Sequence, residues 1–383
     1  MKTKVGLDIL IENNFREIRG LKVGVVANQA SVSSNLTHLI DEMRKYCEIR
    51  IVFTPEHGFT ASERNGMKIH GEHFNDEYQV KMYSLYGETF EPPKHYFEEI
   101  DALIFDLQDV GARWYTYTST LYYCIKACSK ENKPIYVLDR PNPINGEIIE
   151  GPILNENFKS FIGLIEVPIR YGLTIGELAL LINDKYNFNT ELKVISMENW
   201  RREYWFENTG LEWVNPSPNM PTPKTAIIYP GTALIEGTNI SEGRGTTRPF
   251  ELIGAPWIKA KELAKQLNMQ GLSGVTFRPA YFKPYSSKYA GKICRGIQVH
   301  ITDKNEFRAF EVGVHILSAI KKLYPNNFEW IKIKDKYFID QLAGTDKLRK
   351  MIDGNEDPWN ITFELEKDLE KFAIEREKFI IYT

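Results

Sequence analysis

No run of apolar residues in this chain approaches the roughly twenty that a membrane-spanning helix needs. Its opening segment, MKTKVGLDILIENNF, contains no signal-peptide core either. The chain as numbered is therefore expected to be soluble: cytoplasmic, or exported with a signal already removed. Cysteine is scarce, with four in 383 residues (Cys47, Cys124, Cys128 and Cys294), too few and too scattered for a disulfide framework. Cys124 and Cys128 lie on a helical stretch at a spacing that matches no zinc or redox motif, and read as core residues. Net charge is only −3, so no basic field recruits nucleic acid or inserts the chain into an anionic membrane. Three nucleotide or acyl-transfer signatures are missing as well. The turn after the first strand, ANQASVSSN, has no glycine where a dinucleotide fingerprint requires one, and there is no Walker loop and no G-x-S-x-G elbow.

What is present is an ordinary globular composition, 43% hydrophobic and 26% charged, arranged in alternating blocks. Short apolar runs at 22–28, 49–54, 80–87, 102–109 and 134–142 are separated by amphipathic stretches such as 37–46 and 118–129. Near-continuous apolar strands between helices predict an α/β fold, a largely parallel sheet covered by helices on both faces. VPIRYG, the helix of TIGELALLINDKY and LKVISM extend the pattern. From Trp213 the character changes. WVNPSPNMPTPK is too rich in proline for a strand or helix and predicts an irregular crossing. Beyond it, a helix at 260–267, extended GVTFRPAYF and GIQVHITD, a helix at 307–324, two more helical segments and a terminal strand-like KFIIYT suggest a smaller α+β domain. The expected division is 1–240 and 241–383, with the active cleft at the interface.

Ligands of open parallel sheets bind beyond the carboxyl ends of the strands. Five strands here end in polar residues: Asn28-Gln29, Glu56-His57, Ser84 to Gly87, Asp106 to Asp109 followed by Arg113-Trp-Tyr115-Thr-Tyr117, and Asp139-Arg140-Pro-Asn142. Singly, each reads as a capped or solvated turn. Their coincidence on one rim points to a shared site.

Two chemistries compete for that rim. His57, His70 and His73 with Asp106 and Asp109 offer a ligand set for a hydrolytic metal. HGEH lies in a polar, glycine-containing segment that aims its rings nowhere in particular, so no metal or other cofactor is expected. Glycoside hydrolysis needs two carboxyl groups about a bond, or one acid and a substrate acetamido group. The rim supplies Glu56, Asp106 and Asp109, and Glu242 in ISEGRGTT adds another. Glu56, held behind a proline against an apolar strand end, suits a proton donor. Tyr115 and Tyr117 suit a pyranose face, and Asn28, Gln29 and Asn142 its hydroxyls. A non-catalytic muropeptide-binding protein would use the same aromatics and arginines, and stays open beside the metal-dependent hydrolase.

PEHGF (55–59), YSLYG (83–87), DLQDVGARWYTY (106–117), LDRPNPINGEIIEGP (138–152), NPSPNMPT (215–222) and YPGTALIEGTNISEGRGTTRPFELIGAPW (229–257) resemble, in order, the NamZ family of exo-β-N-acetylmuramidases. The resemblance runs from about residue 6 to 320. It implies a Rossmann-like domain joined to a smaller auxiliary domain, and release of N-acetylmuramic acid from the non-reducing end of peptidoglycan fragments. It also implies Glu56 as the active-site acid, with Asp109, Glu242 or Asp106 as its partner. Asn219 falls in a matching block and, with His57, is expected near the saccharide. The lactyl carboxylate of muramic acid calls for an arginine, with Arg113, Arg140 and Arg244 as candidates and Arg244 favoured. Oligomeric state leaves no trace in the sequence.

Overall fold

The computed structural model describes residues 1–62, 71–87 and 89–383. Seven strands form the main sheet: β1 (Lys22–Ala27), β2 (Glu48–Thr54), β3 (Glu72–Asn75), β4 (Val80–Ser84), β5 (Ala102–Asp106), β6 (Ile135–Leu138) and β7 (Leu192–Ile195). Their order is β3-β4-β2-β1-β5-β6-β7, with every pairing parallel except that of β3 with β4. The α/β class and parallel sheet therefore match the expectation. Central strands are buried on both faces because alternate residues serve different cores. Val23, Val25, Val52 and Ile104 pack under the helices Gly6–Glu12 and Leu39–Met43. Val26, Ile51, Phe53, Leu103, Phe105 and Val137 face the other way, toward the helices Tyr117–Glu131 and Ile175–Lys185.

The second core does not stop at the sheet. It continues through Ile227 and Ile228 into Ile253, Ile297, Phe310 and Ile339 of the C-terminal half, so one apolar mass holds both halves together. That half carries an antiparallel sheet, β8 (Leu252–Ala255), β9 (Val275–Phe282) and β10 (Cys294–Ile301), ordered β8-β10-β9. A small hairpin of β11 (Lys332–Ile333) and β12 (Lys336–Tyr337) follows the helix Ala309–Leu323. The helix Pro223–Thr232 crosses Ala309–Leu323 at Gly231 and Gly313. A Cβ on Gly231 would sit 1.8 Å from the Ala309 carbonyl oxygen, so only glycine allows the approach.

Two expected strands are absent. VPIRYG (167–172) is an irregular segment, because Arg170 is buried and committed to Glu150 at 2.6 Å and to the Ile144 carbonyl. KFIIYT forms a short 3₁₀ turn and an extended tail outside any sheet. Its Tyr382 hydroxyl donates to Asp139 at 2.6 Å, while Arg376 donates to the carbonyls of Gly146, Glu147 and Gly172. The C-terminus is thus fastened to the loop that follows β6. Among the described residues, no helix is long and apolar enough to cross a membrane.

Candidate active site

Beyond the carboxyl ends of β2, β4 and β5 lies a cleft of about 290 Å³. Its first wall begins where β2 stops. Pro55 cannot extend the strand, and His57 (φ 74°) and Gly58 (φ 73°) then reverse the chain in the left-handed region. A left-handed histidine costs about 1 kcal/mol, which the surrounding packing must offset. The turn brings both Glu56 and His57 to the cleft. Thr116, at the start of the helix Tyr117–Glu131, donates its hydroxyl to Glu56 Oε2 at 2.8 Å. Tyr86 faces the same carboxylate: burial first, and the charge of Glu56 second, push its phenol up to about 12.

The floor is aromatic. Trp114 and Tyr115 meet Tyr229 edge-on at 82° and 90°, and Tyr229 meets Phe250 at 79°. Edge-to-face contact packs rings without leaving voids and suits a rigid floor. The Tyr229 phenol lies in the fields of Glu236, Arg244 and Glu56 together, and so stands between the two walls.

The second wall comes from the C-terminal half. Glu236 sits on the short turn Ala233–Gly237, and Arg244 on a loop whose flanking Gly243 (φ 81°) and Gly245 (φ 78°) are both left-handed. Both side chains line the cleft. Arg244 Nη2 lies 3.1 Å from Glu236 Oε1, its Nε lies 3.6 Å from Glu242, and its guanidinium covers Phe250 at 4.9 Å. The Arg244 Nε–H has no hydrogen-bond partner among the described residues. Burial opposes the arginine's charge, yet Glu236 and Glu242 outweigh it and hold its pKa above the ordinary value. For Glu236, burial raises the carboxyl pKa, and the cations Arg244 and Lys288 pull against that rise. Lys288 anchors the wall. Its ammonium reaches Glu242 at 3.0 Å and the carbonyls of Ile235, Glu236 and Ile240 at 3.2, 3.3 and 2.9 Å.

Two family descriptions divide the chain between them: "Exo-beta-N-acetylmuramidase NamZ, N-terminal" matches residues 23–224, and the corresponding C-terminal description matches 227–382. The chain belongs to the NamZ family. Peptidoglycan beta-N-acetylmuramidase NamZ of Bacillus subtilis (strain 168) is 42% identical over the whole of this chain and 92% of its own length. A crystal structure of a DUF1343 family protein from Bacteroides fragilis NCTC 9343 superimposes with a TM-score of 0.92 at 32% identity, covering 100% of this chain and 99% of that one. A second DUF1343 structure from the same strain gives 0.76 at 27% identity with the same coverage.

Within this NamZ-family fold, the side chains expected on the rim divide sharply. Glu56, His57, Tyr115, Asn219 and Arg244 line the cleft. The others are spent on fastening. Asp106 is fully buried and clasped by Arg140 at 2.5 and 2.8 Å, which removes both from the cleft. Asn28 donates to the Tyr117 hydroxyl and the Pro216 carbonyl, and Gln29 to the Asn215 carbonyl, so these side chains hold down the irregular crossing. Tyr117 is buried and donates to Pro216 as well. Asn142 donates to Leu173 and caps Ile144. Arg113 is buried against four carbonyls, and Glu242 is buried behind Arg244. Asp109 lies outside the cleft lining, accepting from Tyr171 and from the Gly111 amide at 2.6 Å; burial pushes its pKa up to about 6.

Of the metal set, His70 lies outside the described residues, His73 is exposed on β3 and Asp106 is committed to Arg140. No group of three metal-ligating side chains occurs among the described residues. Sequence reasoning passed over Glu236, Tyr229 and Phe250. All three lie in the long block that includes Glu242 and Arg244, but none follows a strand of the main sheet, where apolar runs ending in polar residues give the signal.

Lys288 does not touch the cleft; it acts on it through Glu242, which faces Arg244, and through the turn that carries the Glu236 carboxylate. Lys288→Met is expected to lower kcat roughly tenfold by misplacing that carboxylate, with little change in KM. Losing a cation that pulls the Glu236 pKa down also moves the acidic limb of the kcat/KM profile to higher pH. A lower Tm with an unshifted acidic limb would show that Lys288 acts on stability alone.

Proposed function

We propose that this NamZ-family enzyme is an exo-acting β-N-acetylmuramidase that releases N-acetylmuramic acid from the non-reducing end of peptidoglycan fragments, in cell-wall turnover or recycling. The observation that carries this reading is the meeting of Glu56 and Glu236 in one cleft, one from each family half. Two carboxyl groups about a glycosidic bond are what acid-assisted cleavage requires. Glu56 donates its proton to the leaving oxygen, with Thr116 fixing its orientation. Glu236, ion-paired with Arg244 at 3.1 Å, acts as the partner carboxyl group, stabilising positive charge as it develops at the sugar carbon. The edge-packed floor of Trp114, Tyr115, Tyr229 and Phe250 supports the pyranose. Arg244, whose side chain lines the cleft, reads the lactyl carboxylate. The metal-dependent alternative lacks a ligand cluster among the described residues. The non-catalytic alternative loses its footing with family membership, since the Bacillus subtilis relative carries an enzyme's name.

Glu56→Gln keeps the shape of the side chain but removes the transferable proton. It should lower kcat on an ordinary muramide by about 10²–10⁴ while Tm and substrate binding persist; activity within a few-fold of the parent enzyme would remove Glu56 from the acid role. Arg244→Ala is expected to lose most of the preference for muramic over glucosamine substrates. An undiminished preference would rule out the carboxylate contact.

A further inference from the structure

An exo-acting enzyme encloses one sugar and must let the rest of the chain leave through the mouth of its cleft. Four rings lead outward from that mouth. Tyr86 lines the cleft beside Glu56, and its ring centroid lies 5.4 Å from Phe161 and 5.9 Å from Phe90. Phe161 and Phe90 are stacked at 4.0 Å with 20° between their planes. Tyr123 continues the row, 6.0 Å from Phe90 and within 27° of its plane.

Three features separate this row from ordinary core packing. The four rings are only partly buried, and none belongs to the continuous apolar core or to the residues packed against it. On the helix Tyr117–Glu131 the core is served instead by Leu121, Cys124, Ile125 and Cys128, which leaves Tyr123 on the outer side. The row is also continuous with the cleft, since Ile162, next to Phe161, lines it. At the outer end stand groups that bond hydroxyls rather than apolar surface: Glu91 lies 2.5 Å from Lys130 and 3.7 Å from Lys126, and Lys126 stands over the Tyr123 ring. With its acid paired to lysines, that end presents no uncompensated negative charge.

We propose that Tyr86, Phe161, Phe90 and Tyr123 form the binding site for the leaving saccharide, a β-linked N-acetylated pyranose such as N-acetylglucosamine. The C–H face of a pyranose is apolar and matches an aromatic ring, while the sugar's rim of hydroxyls requires polar partners at the edge. The proposal rests on the muramidase reading and adds to it the recognition of the departing chain.

The test compares two substrates: the muramic–glucosamine disaccharide, and the methyl β-glycoside of N-acetylmuramic acid, which places nothing on the row. Released N-acetylmuramic acid is quantified by chromatography. In Phe161→Ala, the kcat/KM ratio of disaccharide to methyl glycoside should fall about fivefold to tenfold, chiefly through KM. Phe161→Leu, which keeps apolar bulk without a flat ring, should lower the ratio in the same direction. An unchanged ratio in both variants, or equal losses on both substrates, overturns the proposal. If the parent enzyme cleaves neither substrate, the muramidase reading itself fails and this inference falls with it.

Discussion

A single guanidinium with no carboxylate partner among the described residues organises the site. Arg113 is buried, yet it donates to the carbonyls of Pro152 and Val167 in the N-terminal half and of Leu342 and Ala343 in the C-terminal half, at 2.7–3.0 Å. Removing such an ion from water costs several kcal/mol, and the four carbonyl dipoles offset that cost only while both halves stay in place. Burial draws the Arg113 pKa down to about 9, so the side chain is still charged at neutral pH. On one side the chain continues directly into Trp114, Tyr115 and Thr116, which build the floor and hold Glu56. On the other, Leu342 is itself part of the cleft lining. An arginine suited on sequence grounds to bind substrate instead joins the two walls of the cleft.

The same logic explains why so many charged groups surround a small cleft without lining it. Asp106 with Arg140, Glu150 with Arg170, and Glu177 with Arg202 are buried pairs at 2.5–2.6 Å that tie irregular segments to a strand end, to one another and to a helix. Buried pairs add little net stability against an apolar alternative, but breaking one leaves an uncompensated charge, so they specify geometry strongly. Lys288 extends this principle to the second wall of the cleft, where one ammonium gathers three carbonyls and a carboxylate around the turn that carries Glu236.

Much of the fold is visible in the sequence because its central strands are buried on both faces and read as unbroken apolar runs. The edge strand β3, Glu72–Asn75, is polar and partly or fully exposed, and gives no such signal. The helix Pro223–Thr232 hides behind Pro230 and Gly231, residues that usually end helices but here permit a close crossing. For the site, the difficulty is different. A polar residue after an apolar strand looks the same whether it lines a cleft, like Glu56, or meets a buried partner, like Asp106. The partner that decides the matter, Arg140, lies 34 residues away along the chain. Glu236 was hidden for a related reason: its wall belongs to the other half, and only the continuous core brings it opposite Glu56.

The account stands on the claim that this cleft, with two carboxyl groups and Arg244 beside them, hydrolyses β-muramides. The most direct measurement incubates the unmodified protein with a chromogenic β-N-acetylmuramide and with its glucosaminide counterpart, each with and without a chelator. The account predicts turnover of the muramide, little of the glucosaminide, and no effect of the chelator. Equal turnover of both sugars, or activity abolished by chelation, would contradict it.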